Sequence, residues 1–104
     1  MIFKYDIIER IRADFGNSST EAMTTIVEAL NKSDYLKTDR VIRSIIFLAE
    51  GDLINLEKYI EAATVDTRDV MFWAEYEKIN DGFNSKRIRD FNKTFAECAN
   101  EIKE

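Results

Sequence analysis

The chain has 104 residues, of which 45% are hydrophobic and 34% charged, and its net charge is −5. This length and composition are typical of one globular domain spanning residues 1–104. The acidic balance argues against nonspecific binding to nucleic acid or to an anionic membrane. The N-terminal stretch meets its first charge at Lys4 and predicts neither a signal peptide nor a membrane span.

The residue types that are rare or absent exclude several kinds of catalytic and metal-binding site. The chain has no proline and three glycines, which favours helices. It has no histidine, so the commonest general base, histidine-paired nucleophiles and histidine metal ligands are excluded. The single cysteine, Cys98, cannot form an internal disulfide, which suits a reducing cytoplasm. No glycine-rich phosphate loop is present, and we expect neither a cofactor nor a metal.

Apolar residues at helical spacing predict an all-α fold, a compact single-domain bundle of five to six helices. The first helix is expected from about Tyr5 to Phe15. Ser18 and Glu21 have the spacing of a capping box at the start of the second helix, which continues to about Asn31.

A third helix is predicted from near Thr38 to Gly51, and Asp52 suits the N-cap of a fourth. These two helices are expected to form a helical hairpin. A helix-turn-helix, the nucleic-acid-binding motif, is an alternative interpretation of the pair. The second helix of that pair would carry Glu57 and Glu61, which phosphates would repel, so no nucleic-acid partner is expected.

The fifth helix is expected to be capped by Asp66 or Thr67 and to end at the Asn-Asp-Gly turn of residues 80–82. A strand was the alternative for residues 67–78, but no other segment reads as a partner strand. The last helix is expected to start near Ser85. Its apolar seam consists of Ile88, Phe91, Phe95, Cys98 and Ile102.

The fifth helix is apolar almost all round, which is typical of a helix buried among its neighbours. We therefore expect it to be the central helix of the bundle, with Trp73 in the core. The alternative is that Trp73 and Tyr76 lie under a partner, because these residue types are enriched at binding hot spots. Phe47 also has two readings: another helix covers it, or it is an exposed aromatic anchor next to Arg43.

Glu75 interrupts the apolar surface of this helix. It lies at the helix edge or is buried, and a buried carboxylate must be paired. The available partners are Arg40, Arg43 and the arginines of residues 86–89, Lys-Arg-Ile-Arg. Structural pairing is the preferred reading over a functional acid.

Acidic residues are concentrated between residues 50 and 77, and the basic segment 86–89 is expected to dock toward them. Positive charge is unfavourable at a helix N-terminus, so a nearby negative charge should offset it. Arg87 or Arg89 should then lie within salt-bridge distance of Glu57, Glu61, Asp66, Asp69, Glu75 or Glu77. The eight acids are Glu50, Asp52, Glu57, Glu61, Asp66, Asp69, Glu75 and Glu77.

The function expected from these features is non-catalytic: a small cytoplasmic protein-interaction module, of the immunity or antitoxin type or an adaptor. Its partner would be a protein, basic in charge, or a second copy of the chain, and not a membrane. The alternative is a small enzyme or ligand-binding bundle that uses a carboxylate, Glu75 or Asp69, with an arginine. The candidate interaction residues are Phe47, Arg43, Trp73, Tyr76, Glu75 and Asp69.

Overall fold

The computed structural model of the chain describes the backbone of residues 3–79 and 84–102 and the side chains of residues 3–76 and 87–98. It is a helical bundle, which confirms the predicted all-α class. The described residues form six α-helices and one small two-stranded sheet. Their bounds are α1 Tyr5–Phe15, α2 Ser19–Lys32, α3 Asp39–Ala49, α4 Leu53–Val65, α5 Thr67–Glu75, β1 Tyr76–Ile79, β2 Asn84–Arg87 and α6 Phe95–Ile102.

Helix α3 is the central helix, a position that the sequence had suggested for α5. Residues 41–46 of α3 are all buried, and the helix packs against α1, α4 and α5. Burial on every side is possible because its two arginines and its serine are held by hydrogen bonds within the protein. The main core consists of apolar side chains from the first five helices, among them Ile7, Ile11, Ile26, Leu30, Ile42, Ile46, Leu56 and Val70.

Side-chain caps fix the start of three helices. The Thr38 hydroxyl accepts a hydrogen bond from the backbone N–H of Val41 at 3.2 Å. A carboxylate oxygen of Asp52 accepts from the backbone N–H of Ile54 at 2.8 Å. Asp66 caps α5 in the same way. The caps at Asp52 and Asp66 confirm the predicted starts of α4 and α5, since each provides an acceptor for otherwise unpaired N–H groups.

The capping box predicted at Ser18 and Glu21 is wrong. A capping side chain needs an extended backbone at the N-cap. A 3-10 turn, Gly16–Ser18, instead runs directly into α2, and Ser18 has φ −95° and ψ 9° and makes no capping hydrogen bond.

The chain after Glu75 differs most from the prediction. Helix α5 ends at Glu75, and the next four residues form β1. This strand pairs antiparallel with β2, so that Tyr76 lies opposite Arg87. Within residues 67–78, the rejection of a strand is therefore wrong for residues 76–78, because the polar partner strand carries no apolar alternation that would mark it. The predicted turn at residues 80–82 lies outside the described residues.

The last helix begins at Phe95, ten residues later than predicted. Residues 88–94 form no helix, and the seam expected from Ile88 onward is thus divided between an irregular segment and α6. Phe91 and Cys98 are buried all the same, and they form a second small core cluster with Ala74. The burial of Cys98 confirms its expected place on the apolar side.

Gly51 should be less replaceable than Gly16. Both have positive φ, +76° and +52°, but a Cβ at Gly51 would overlap the backbone carbonyl of Asp14, whereas a Cβ at Gly16 would meet open space. Gly51→Ala should lower the free energy of unfolding by roughly 2 kcal/mol or more, and Gly16→Ala by about 1–2 kcal/mol. Urea denaturation measures both values. Equal losses would contradict the close approach of α3's C-terminal end to α1.

Candidate functional site

Glu75 forms a buried ion-pair site at the C-terminal end of α5. Its side chain is fully buried. The carboxylate accepts two hydrogen bonds from Arg40, from Nε at 3.0 Å and from Nη2 at 2.6 Å. It also accepts one from Arg87 Nη2 at 3.3 Å and one from the backbone N–H of Phe91 at 2.8 Å. We call this group of four residues the Glu75 site.

Backbone carbonyls at the end of α5 also accept hydrogen bonds from the segment between Arg87 and Phe91. The Glu75 carbonyl accepts from the backbone N–H groups of Ile88 and Arg89, at 2.8 and 3.2 Å. The guanidinium of Arg89 donates to the carbonyl of Ala74 at 2.8 Å. Two of the open carbonyls at the end of α5, those of Ala74 and Glu75, are therefore satisfied by the returning chain, as a helix end inside a protein requires.

A second ion pair joins α1, α3 and the C-terminal segment. Arg43 donates through Nε and Nη2 to the two carboxylate oxygens of Asp6, both at 2.9 Å. Its Nη1 donates to the carbonyl of Phe91 at 3.0 Å, and Asp6 also accepts from the backbone N–H of Phe95 at 3.2 Å. We call these four residues the Asp6 site. Phe91 belongs to both sites, through its N–H in one and its carbonyl in the other.

Hydrogen bonds and charges in and next to these two sites shift the pKa values of Asp6, Asp90 and Arg40. Burial alone would raise the pKa of Asp6, but the hydrogen bonds from Arg43 and from the Phe95 N–H outweigh it, and the pKa of Asp6 is lowered. The pKa of Asp90 is also lowered, because hydrogen bonds from Asn92 and the charge of Arg87 outweigh its burial. The pKa of Arg40 is raised by its hydrogen bond to Glu75. Each shift favours the charged form and so stabilises the ion pairs.

The contact predicted for residues 86–89 is confirmed by Arg87, which lies 3.3 Å from Glu75. The predicted cause of this contact, a helix N-terminus at residues 86–89, is wrong, because Arg87 is in β2. Arg89 has a different role: its guanidinium lies 4.3 Å from the centre of the Phe47 ring. Phe47 is half-buried and also packs on Phe91, with the ring centres 5.4 Å apart. The chain before α6 thus covers Phe47, rather than the last helix itself.

The outer side of α5 carries exposed aromatic side chains. Phe72 is 43% exposed and Trp73 is 48% exposed, so the expectation that Trp73 lies in the core is wrong. Phe72 stacks on Tyr76 at 4.9 Å between ring centres, and Trp73 meets Tyr59 of α4 edge-on at 6.2 Å. We call Tyr59, Phe72, Trp73 and Tyr76 the aromatic face. Asp69 is exposed one helical turn before Phe72 and Trp73.

The structure divides the six candidate residues into two groups. Arg43 and Glu75 are buried and hold the fold together, and Phe47 is half-buried beside them. The others, Asp69, Trp73 and Tyr76, lie on or next to the aromatic face. Sequence reasoning missed Phe72 as a surface residue and missed Asp6 altogether. Asp6 is separated from Arg43 by 37 residues, and no local pattern connects them.

Comparison of the chain with protein-family models, with curated proteins and with solved structures found no match. Among residues 3–79 and 84–102, no helix is long and apolar enough to cross a membrane. Among the described side chains, those of residues 3–76 and 87–98, acids and cysteine form no group of three or more that could hold a metal ion. The assignment of a function therefore depends on the two ion-pair sites and on the exposed surfaces.

Glu75→Gln should strongly destabilise the protein, because it leaves two guanidinium groups facing an amide instead of a carboxylate. We expect a loss of about 3 kcal/mol in the free energy of unfolding, near the low end for breaking a buried pair, since both arginines are partly exposed. The matched control is Glu57→Gln in α4, an exposed residue, with an expected change of about 0.5 kcal/mol or less. Small, equal losses in urea denaturation would contradict the proposed importance of the Glu75 site.

Asp6 should make stability depend on pH in the acid range. Its folded-state pKa lies below the ordinary value of 3.8, so the unfolded chain takes up a proton more readily than the folded chain. The stability that Asp6 contributes is therefore present above that value and is lost as the pH falls toward the lowered folded-state pKa. Asp6→Asn should be less stable than wild type at neutral pH but should lose less stability between neutral pH and this acid range. Urea denaturation as a function of pH tests this, and identical slopes would contradict it.

Proposed function

We propose that this protein is a small non-catalytic interaction module that binds a partner protein with a basic surface through the aromatic face. The observation that carries the proposal is the exposure of Phe72 and Trp73 side by side on one helix. Tryptophan and other aromatic residues supply much of the binding free energy where they are buried at interfaces. An exposed pair supported by Tyr59 and Tyr76 is suited to this use.

The surface of residues 50–76, where five exposed acids outnumber the two exposed cations Lys58 and Arg68, supports a basic partner. Arg87 pairs with Glu75, which is buried. This contact therefore covers none of the exposed acids of α4 and α5. Within the described residues, none of these exposed acids forms an ion pair with a cation of the chain. Complementary charge at an interface accelerates association and excludes wrong partners. The exposed acids of residues 50–76 are Glu50, Asp52, Glu57, Glu61 and Asp69.

The alternative function, an enzyme or ligand-binding bundle, loses its main support. Its central group was a carboxylate paired with arginine, and Glu75 has this chemistry. The Glu75 carboxylate, however, is fully buried and accepts four hydrogen bonds from the protein itself. A ligand would have to displace one of these donors, and the structural account of the pair explains its burial without a ligand.

We also propose a cytoplasmic location and a role of the immunity, antitoxin or adaptor type. A cysteine count of one suits a reducing compartment, where disulfides are rare. A small acidic protein that neutralises a basic one needs a rigid surface rather than a catalytic pocket. The two ion-pair sites would supply that rigidity.

The double variant Phe72→Ala/Trp73→Ala should fold but lose its partner. Because both side chains are about half exposed, each truncation should cost about 1 kcal/mol, far less than a core aromatic. Affinity capture from the native host, with a thermal melt of each variant, tests both points. Wild type should capture a basic protein whose affinity, measured by calorimetry, falls at least about tenfold in the double variant.

The control is Tyr5→Ala, which removes an aromatic side chain that is 71% exposed on another helix. It should bind the captured protein as wild type does. Equal binding by the double variant would exclude the aromatic face as the docking surface. A large fall in melting temperature on Trp73→Ala alone would indicate that Trp73 belongs to the core.

A further inference from the structure

A second surface, separate from the aromatic face, is an open groove between α2 and α4. Ala29 and Ile60 line its floor, and the same two residues line a small apolar cavity in the core beneath. Three exposed glutamates line the groove: Glu28 from α2 and Glu57 and Glu61 from α4. The groove therefore combines an apolar floor with acidic walls.

The charge of the groove is not balanced within the chain. Lys32 is the single cation among the described residues that line it, against three glutamates. Among the side chains of residues 3–76 and 87–98, neither Lys32 nor any of the three glutamates takes part in an ion pair. Like charges brought together on two packed helices repel each other, and a cationic ligand would relieve this repulsion.

The shape of the groove limits the class of ligand. Two packed helices of 14 and 13 residues form its walls, and a third helix can lie between such neighbours. The small side chain of Ala29 leaves room for an apolar residue to approach the floor beside Ile60. A helix in a groove presents its anchors at positions i, i+3, i+4 and i+7 and leaves its other side for charged residues.

We propose that this groove binds a cationic amphipathic helix of a partner protein. Apolar anchors of that helix would pack on Ala29 and Ile60, and its lysines or arginines would pair with Glu28, Glu57 and Glu61. The proposal does not depend on the aromatic face, since α4 contributes Tyr59 to that face but Glu57, Ile60 and Glu61 to the groove.

The test uses a synthetic helical peptide of about the length of α2, with leucine at i, i+3, i+4 and i+7 and lysine at most other positions. Its binding to the full chain is followed by fluorescence anisotropy. Glu57→Gln/Glu61→Gln should weaken binding about tenfold, equivalent to about 1.4 kcal/mol. The matched control Glu9→Gln/Glu50→Gln removes the same charge from exposed positions outside the groove and should change affinity by about twofold or less, as expected for screened, distant charges.

Two further measurements separate the groove from general charge attraction. A peptide with the leucines replaced by serine should bind at least about tenfold more weakly, because the apolar floor loses its contact. Hydrogen exchange should show protection at residues 25–33 and 57–64 on binding. The variant Phe72→Ala/Trp73→Ala should bind the peptide as wild type does, so a failure of the aromatic-face proposal would leave this result unchanged.

Several outcomes would overturn the proposal. Equal weakening by the two glutamine double variants would mean that the peptide senses only net charge. Absence of binding by wild type, or protection confined to α5, would exclude the groove. A wild-type chain that is dimeric in sedimentation analysis, and whose mass changes in Glu57→Gln/Glu61→Gln, would assign the groove to a second copy of the chain instead.

Discussion

Taking the Glu75 carboxylate out of water would cost several kcal/mol if its charge were left unpaired, and the C-terminal part of the fold is arranged so that this does not happen. Arg40 comes from α3, Arg87 from β2 and the Phe91 N–H from the segment before α6. These three donors converge only if α5 stops at Glu75 and the chain returns beside it. The burial of one carboxylate thus links the end of α5 to the positions of Arg87 and Phe91.

The need to pair buried carboxylates distinguishes two groups of acidic residues in the protein. Acids that are buried or partly buried, such as Glu75 and Asp6, take the arginines that the fold brings to them. Acids on the outer sides of α2 and α4, such as Glu57 and Glu61, have no such partners among the described residues. Several arginines are engaged by these inner acids, which supports the proposal that the exposed acids of α2 and α4 meet a basic partner.

The sequence predicted the first four helices well, because each has an apolar stripe of helical period. It also predicted the starts of α4 and α5, because the caps Asp52 and Asp66 are recognisable locally. It also predicted that Glu75 is paired, since a carboxylate in an apolar segment has few alternatives. It could not predict β1 and β2, whose four-residue strands carry no alternation and pair through the backbone. Nor could it orient α5: when a helix is apolar all round, periodicity does not show which side faces the core.

The orientation of α5 follows from long-range packing, to which α3, α4 and Phe91 all contribute. Phe91 is 1% exposed and packs in the second core cluster with Ala74, on the inner side of α5. Its backbone N–H and carbonyl are held by the Glu75 and Asp6 sites, so its ring is fixed in this place. The inner side of α5 needs only small residues there, and Phe72 and Trp73 are directed outward. The ion-pair sites thus hold Phe91 on the inner side of α5, while the aromatic face lies on its outer side.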